Sequence, residues 1–338
     1  MLVDLVMPDN VEIVQRPQAP LIVKVQPFGN FKDAMGWLKE SRSMLRELLL
    51  RHGHVLVRGL PITSSEDFAE VRDLLVAERA AYTEKATPRS KLGDDVYSST
   101  DMPASHPIHL HNENSYTLKF PGILLFCCLE APDTGGATTV ADVRKVLARI
   151  PAPLAARFMQ HGWLLKRNYY SRLGLPWTVA FDTQDQQVVE KYCATNLIGA
   201  RWQPGGVLKT AQKRAATIKH PKTGEQVWFN HIAFWSKWSL PEQTRMMLID
   251  SFGDDGLPFD VALGNGEALT QDEVRQLLDA HAAELCRESW QPGDVMLVDN
   301  ILSAHGRDAF TGRRKILVAM GEPVGLDQCS PSSEASPA

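Results

Sequence analysis

His111-Asn112-Glu113 places an imidazole and a carboxylate two residues apart. On a β-strand such residues point to the same face, so one short segment offers two ligands to a single ion. Two histidines and one carboxylate leave the remaining metal positions open, which is the arrangement of non-haem iron(II) oxygenases. His305, just after the apolar run Val295–Asp299, supplies the second imidazole. Taken alone, the His-x-Glu triplet equally fits an exposed strand rim, so its meaning depends on what accompanies it.

Further motifs stand in a fixed order around these residues. His111-Asn-Glu-Asn-Ser-Tyr116 is followed by Gly135-Gly136-Ala137-Thr138 and, far along the chain, by Asp299-Asn300, His305-Gly306-Arg307, Phe310, Gly312 and Arg314. In order and spacing the set resembles the taurine dioxygenase (TauD/TfdA) family of iron(II)/2-oxoglutarate oxygenases, from His54 to Pro323. Glu113 replaces the aspartate common in taurine-degrading members. With Tyr97-Ser-Ser-Thr100 and Trp228-Phe-Asn-His231, it looks more like the branch typified by the syringomycin-cluster aspartyl β-hydroxylase. That branch serves natural-product biosynthesis, and its members hydroxylate amino-acid units, often as thioesters on a peptide-synthetase carrier protein.

The resemblance implies His111, Glu113 and His305 as iron(II) ligands, with 2-oxoglutarate and O2 as co-substrates. Hydroxylation is then the default outcome, while epoxidation and desaturation stay open because substrate pose decides among them. Related halogenases lack the carboxylate ligand, so Glu113 argues against halogenation. The distal carboxylate of 2-oxoglutarate needs a cation and a hydroxyl, and Arg314 and Thr138 match the family positions. Arginine offers a planar bidentate fork that lysine cannot reproduce. Arg313 and Lys315 flank it, and a solvated strand end is the competing reading of this basic triplet.

Arg167 and Asn168 are candidates to bind a substrate carboxylate or amide. Asn230 and His231 are candidates for the substrate pocket, or for a satisfied hydrogen bond in the core. His109 is expected to be structural. Trp228, Phe229, Phe234, Trp235 and Trp238 read as core and pocket wall. Lys209, Lys213, Arg214, Lys219 and Lys222 form a basic cluster that suits an acidic carrier domain or a solvated strand pair. Two other classes compete. A zinc hydrolase also takes two histidines and a glutamate, but the His-Glu-x-x-His helix is absent. A non-catalytic jelly-roll binding protein has no need of three ligands together with Thr138 and Arg314.

Composition sets the background. The 338 residues are 44% hydrophobic and 22% charged, ordinary globular usage that permits a sizeable core. With 36 Lys and Arg against 40 Asp and Glu, the net charge of −4 gives no broad attraction to nucleic acid or anionic lipid. No basic leader or membrane-length apolar run is visible. Five cysteines without a Cys-x-x-Cys pair suggest no disulfide framework and a reducing, cytoplasmic setting. Cys127 and Cys128 read as small buried hydrophobes in a strand.

The elements that must position the ligands follow from periodicity. Residues 31–51 and 64–80 read as helices around a buried strand from His54 to Leu60. Short strands are expected at 96–99, 108–111, 123–129 and 138–140, then helices at 143–150 and 154–161. A strand at 163–170, a helix at 185–196 and strands over 209–234 around a turn at 220–224 come next. Helices at 241–252 and 270–285 precede strands at 295–299 and 316–320. Strands interrupted by helical inserts predict a mixed α/β chain built on a double-stranded β-helix, or jelly roll, wrapped by helices. Residues 1–325 are expected to form one catalytic domain, and the Ser- and Pro-rich tail 326–338 to be disordered.

Overall fold

The run from Ile123 to Cys128 is apolar throughout, which requires packing on both faces. Ile123, Leu125 and Cys127 join one buried cluster, while Leu124, Phe126 and Cys128 join another. Successive strand residues face opposite ways, so the two cysteines are neighbours in sequence but lie on opposite faces, both fully buried and free. The structure is a computed structural model that describes residues 11–329 apart from 81, 88, 100 and 101.

This strand, Lys119–Glu130, is central to an eight-stranded sheet, flanked by Val295–Asp299 and Lys315–Gly325. The outer face of the sheet is covered by the helix Phe31–His52, whose Leu38, Leu45, Leu48 and Leu49 pack on Val55, Val57, Leu125 and Leu297. Asn30 caps the N-terminus of that helix, and Gly53, at φ 77°, ends it in the left-handed conformation suited to glycine. The inner face meets a four-stranded sheet ordered Leu285–Cys286, Thr138–Asp142, Ser303–Arg307, Ile108–His111. Val140 of the smaller sheet packs in the same cluster as Leu124, Phe126 and Val298 of the larger. The layer between the two sheets is where the metal-ligand candidates sit.

A third sheet of four strands, ordered Gly199–Gln203, Val207–Arg214, Trp163–Tyr169, Phe259–Leu263, forms the insert. A hairpin, Thr217–Lys219 with Gln226–Trp228, falls in sequence between Val207–Arg214 and Phe259–Leu263. Among the described residues, no helix is long and apolar enough to cross a membrane.

Four departures from the sequence reading have physical causes. The helix after Ser64 stops at Leu75 rather than near Ala80. Residues beyond it pair instead with the long C-terminal strand, Ala80 N–H donating to Met320 and Glu322 N–H to Glu78. Gly321 permits that approach, since a Cβ there would lie 2.7 Å from Val76. The edge strands Val11–Val14 and Leu21–Val25 were not anticipated. The segment ending at Phe234 closes in a short helix, Ile232–Trp235, rather than a strand. Leu326–Cys329 form a 3-10 turn with Cys329 fully buried in the core, so order extends four residues into the expected tail. The rest of that tail lies outside the described residues, as does Thr100 of the Tyr97–Thr100 motif.

Candidate metal centre and co-substrate pocket

Ile108–His111 and Ser303–Arg307 run antiparallel, and His111 is the direct cross-strand partner of His305. Their ring centroids are 4.4 Å apart. The strand ends at His111, and Glu113 stands in the turn that follows it rather than on the strand. Its placement comes from Asn300, whose Oδ1 accepts from Glu113 N–H at 2.7 Å and whose Nδ2 donates to Glu113 O at 2.9 Å. Asn112 Nδ2 donates in turn to the carbonyls of Asn300 and Ser303. Asp299 caps the next turn, accepting from the N–H groups of Ile301 and Leu302 at 3.0 Å. The Asp299-Asn300 pair is thus a clamp that locks the Glu113 turn to the strand bearing His305.

The ligand atoms of His111, Glu113 and His305 lie within 4.8 Å of one another, and all three residues are buried. Atoms sharing an ion at bonds of about 2.1 Å sit no more than about 4.2 Å apart, so a small inward rotation closes the set. His111 Nδ1 donates to the His109 carbonyl at 2.8 Å, which leaves Nε2 free for a metal. His109 itself is only partly buried and lies outside the group. His305 Nε2 faces Glu113 Oε2 at 3.6 Å, and its Nδ1 is buried without a hydrogen-bond partner.

The electrostatics suit a cation. Burial, reinforced by the neighbouring His305, pushes the His111 imidazole down to about 3, so it is neutral and ready to donate a lone pair. Burial opposes charge on Glu113, but the Arg89 guanidinium and the two imidazoles more than offset it and hold the carboxyl well below the usual range. Phe234 stacks on His111 at 4.9 Å and Phe126 lies 5.3 Å from His305.

One cavity is lined by His111 and His305 together with Thr138 and Arg314, and also by Arg89, Ser99 and Phe126. Of the basic triplet, Arg314 alone turns inward. The Arg313 side chain is 89% exposed and Lys315 is exposed. Arg314 Nε donates to the Gly136 carbonyl at 2.9 Å, Nη1 to Ser99 Oγ at 2.8 Å and Nη2 to Thr138 Oγ1 at 3.4 Å. Burial, with Arg307 nearby, pushes its pKa down to about 10, so it is charged at neutral pH. Gly136 has φ 67°, and a Cβ there would meet Pro132 at 2.7 Å and Arg314 Cδ at 3.2 Å. The Gly-Gly-x-Thr element therefore makes room for the arginine. A larger cavity lies elsewhere, beside Arg46, Lys222 and Glu322, away from these ligands.

The substrate candidates divide. His231 is buried beside the centre, its ring 4.8 Å from His111 and stacked 4.2 Å over Trp235. Its Nδ1 is paired with Ser115 Oγ at 2.6 Å. Asn230 is committed to the main chain, donating to Ala216 O and accepting from Ile232 N–H, both at 3.0 Å. Asn168 donates to the carbonyls of Asp255 and Leu257, at 3.0 and 2.6 Å. Both amides are tied to the main chain in this arrangement. Arg167 is buried beneath Tyr169 and Phe259, 3.7 Å from Glu84, one aromatic layer behind His231.

The expected basic face is not continuous. Arg214 is buried and spends its guanidinium on the carbonyls of Tyr116, Lys213 and Asn196, while Lys219 and Lys222 project from the separate hairpin turn. Sequence reasoning missed Arg89, which donates from Nη2 to Glu113 Oε2 at 2.6 Å. An isolated arginine in a loop carries no local signal.

Comparison with known proteins gives the family. The profile of the taurine catabolism dioxygenase TauD, TfdA family matches residues 16–320. The chain is 35% identical over 297 residues to the dapdiamide synthesis protein DdaC of Enterobacter agglomerans, covering 88% of this chain and 89% of that protein. It is 28% identical to a clavaminate synthase-like protein of Arabidopsis thaliana, covering 84% and 86%. Among solved structures it is similar to PvcB, an iron, α-ketoglutarate-dependent oxygenase from an isonitrile synthetic pathway, with TM-score 0.53, 14% identity and 98% and 97% coverage. An asparagine oxygenase solved with Fe(II), 3-hydroxyasparagine and succinate superposes with TM-score 0.53 at 13% identity, covering 85% and 79%. The chain belongs to the TauD/TfdA family and is an Fe(II)/2-oxoglutarate-dependent dioxygenase that takes O2 as co-substrate.

Proposed function

We propose that His111, Glu113 and His305 hold the iron, that Arg314 and Thr138 bind the distal carboxylate of 2-oxoglutarate, and that the enzyme hydroxylates an amino-acid unit in natural-product biosynthesis. The observation that carries this reading is one cavity lined by His111 and His305, whose ligand atoms converge with that of Glu113, and by the hydrogen-bonded Arg314–Thr138 pair. The eight- and four-stranded sheets are read as the two halves of a double-stranded β-helix, residues 1–325 as one catalytic domain, and the cytoplasm as its compartment. The family implies iron, and the donor set fits it: two imidazoles and a carboxylate, all buried, with an unpaired nitrogen on His305.

Bound iron with 2-oxoglutarate and O2 supplies the oxidising power. The residues of the chain do the rest. His111 enters the site without a proton to lose, and Glu113 enters as an anion. Arg314, fixed by Gly136, Ser99 and Thr138, orients the co-substrate along the cavity. Phe126 and Phe234 pack against the ligand rings, and His231 lies beside His111.

The amino-acid class is supported by the relative in dapdiamide synthesis and by the asparagine oxygenase of the same fold. The unit is either free or tethered to a carrier protein. Succinate release and product mass, measured for free amino acids and for the same acids loaded on a carrier at low and high salt, distinguish the two. Salt-insensitive hydroxylation of a free amino acid, with no gain on the carrier, removes tethering. Absence of any hydroxylated amino-acid product across both panels, with 2-oxoglutarate still consumed, contradicts the substrate class.

A further inference from the structure

Arg89 lines the same cavity as His111, His305, Thr138 and Arg314, yet belongs to none of the motifs. Its side chain is only 4% exposed. Nη2 is engaged by Glu113 at 2.6 Å, and the guanidinium lies over the Tyr82 ring, 5.0 Å from its centroid. The other donors, Nε and Nη1, are buried and have no hydrogen-bond partner among the described residues. Of the other two cavity arginines, Arg314 uses all three nitrogens, and both terminal nitrogens of Arg307 donate to the carbonyls of Met102, Pro103 and His106. Buried donors of an always-charged group are costly to leave unmade, and in functional sites such capacity is met by a ligand.

Charge points the same way. With iron(II) and 2-oxoglutarate in place, the charges of the ion and Arg314 are matched by Glu113 and the two carboxylates of the co-substrate. The charges of Arg89 and Arg307 are left over; both terminal nitrogens of Arg307 are held by main-chain carbonyls, whereas Arg89 keeps unused donors in a buried site where an uncompensated ion is expensive.

We infer that Arg89 is the anion-binding residue for the oxidised substrate, its unused donors receiving a substrate carboxylate while Nη2 holds Glu113. This rests on the iron-oxygenase reading of the pocket and adds the class of substrate, an acid rather than a neutral amide. In a free amino acid the anion is the α-carboxylate. In a carrier-bound unit the thioester consumes that group, and the anion is a side-chain carboxylate.

The test uses the protein loaded with manganese(II) and saturated with 2-oxoglutarate. Paramagnetic relaxation of carbon-13-labelled propionate reports binding near the metal, with propionamide as the neutral control. Propionate is expected to show saturable enhancement and propionamide none. In Arg89→Met propionate binding weakens about 30-fold or more, the scale of losing a desolvated charge partner. Manganese affinity is unchanged or higher in that variant, because a cation beside Glu113 has been removed. Arg89→Lys retains the charge and part of the binding, and it serves if the Met variant does not fold. L-Asparagine carries only the α-carboxylate and L-isoasparagine only the side-chain one. Preference for either supports the site and names the source, and indifference of the wild-type protein to both counts against it. Equal propionate enhancement in wild type and Arg89→Met overturns the inference. So does loss of manganese from Arg89→Met, which makes Arg89 a positioning residue for Glu113 alone. Failure of the wild-type protein to bind manganese or 2-oxoglutarate overturns the iron-oxygenase reading itself, and the inference with it.

Discussion

The metal-bearing layer and the insert contain polar residues of similar kinds, set in different surroundings. In the insert, Asn168, Asn230 and Arg214 give their donors to main-chain carbonyls and tie loops together. Between the two core sheets, His305 Nδ1 and Arg89 Nε and Nη1 are buried without partners, and the ligand face of Glu113 is aimed at His305 and Arg89. The difference teaches that residue type in a promising order does not make a site. Hydrogen-bonding capacity held back beside convergent metal-ligand atoms does; the insert has its own groups without a hydrogen-bond partner, Arg167 Nε and Nη1 and Gln212 Oε1, but among the described residues no such ligand set stands beside them.

The strongest challenge to this comparison is Arg314→Ala. It removes the buried cation beside Thr138, and 2-oxoglutarate binding should weaken by about 2–5 kcal/mol with iron affinity retained. Isothermal titration with both ligands measures this. An unchanged affinity, with Arg313→Ala impaired instead, would move the co-substrate to the solvent side of the strand.

A second test concerns buried imidazoles that are spent rather than held back. Burial pushes His54 and His281 down to about 4, and they pair with Ser303 Oγ and the Leu277 carbonyl. Both pKa values are depressed on folding, so the unfolded chain binds protons that the folded one refuses as pH falls below about 6.5. Stability is present above that value and is lost as pH drops towards 4, by about 2–3 kcal/mol per imidazole between pH 7 and pH 4.5. Urea midpoints at the two pH values, for wild type and His281→Gln, check this: the variant should show the shallower loss.

The smallest effect sharpens the insert side. Asn168→Ala leaves two carbonyls short of a donor and should cost about 1–3 kcal/mol in urea unfolding, with iron and 2-oxoglutarate binding as in wild type. Intact stability with lost substrate turnover would return Asn168 to the site and break the distinction.

Much of the core was legible because its determinants are local. His111 and His305 follow short apolar strands, and the alternating run at 123–128 is apolar on both sides, which only a strand between two packed layers requires. Gly136 and Asn300 were visible as motif members, although their work, making room for Arg314 and clamping the Glu113 turn, needed the geometry. The insert was read less well. An asparagine that ties a loop and one that binds a ligand are identical in sequence, and only their partners separate them. Lys219 and Arg214 are five residues apart, yet one is exposed on a hairpin and the other buried against Tyr116. Arg89 depends on a contact with a residue 24 positions away, and no spacing rule marks it.

The most direct measurement is anaerobic titration of the purified protein with iron(II) and then 2-oxoglutarate, in wild type and His305→Ala. The account predicts about one iron per chain and a weak visible charge-transfer band on adding 2-oxoglutarate, with both lost in the variant. Full iron affinity and an unchanged band in His305→Ala would contradict it.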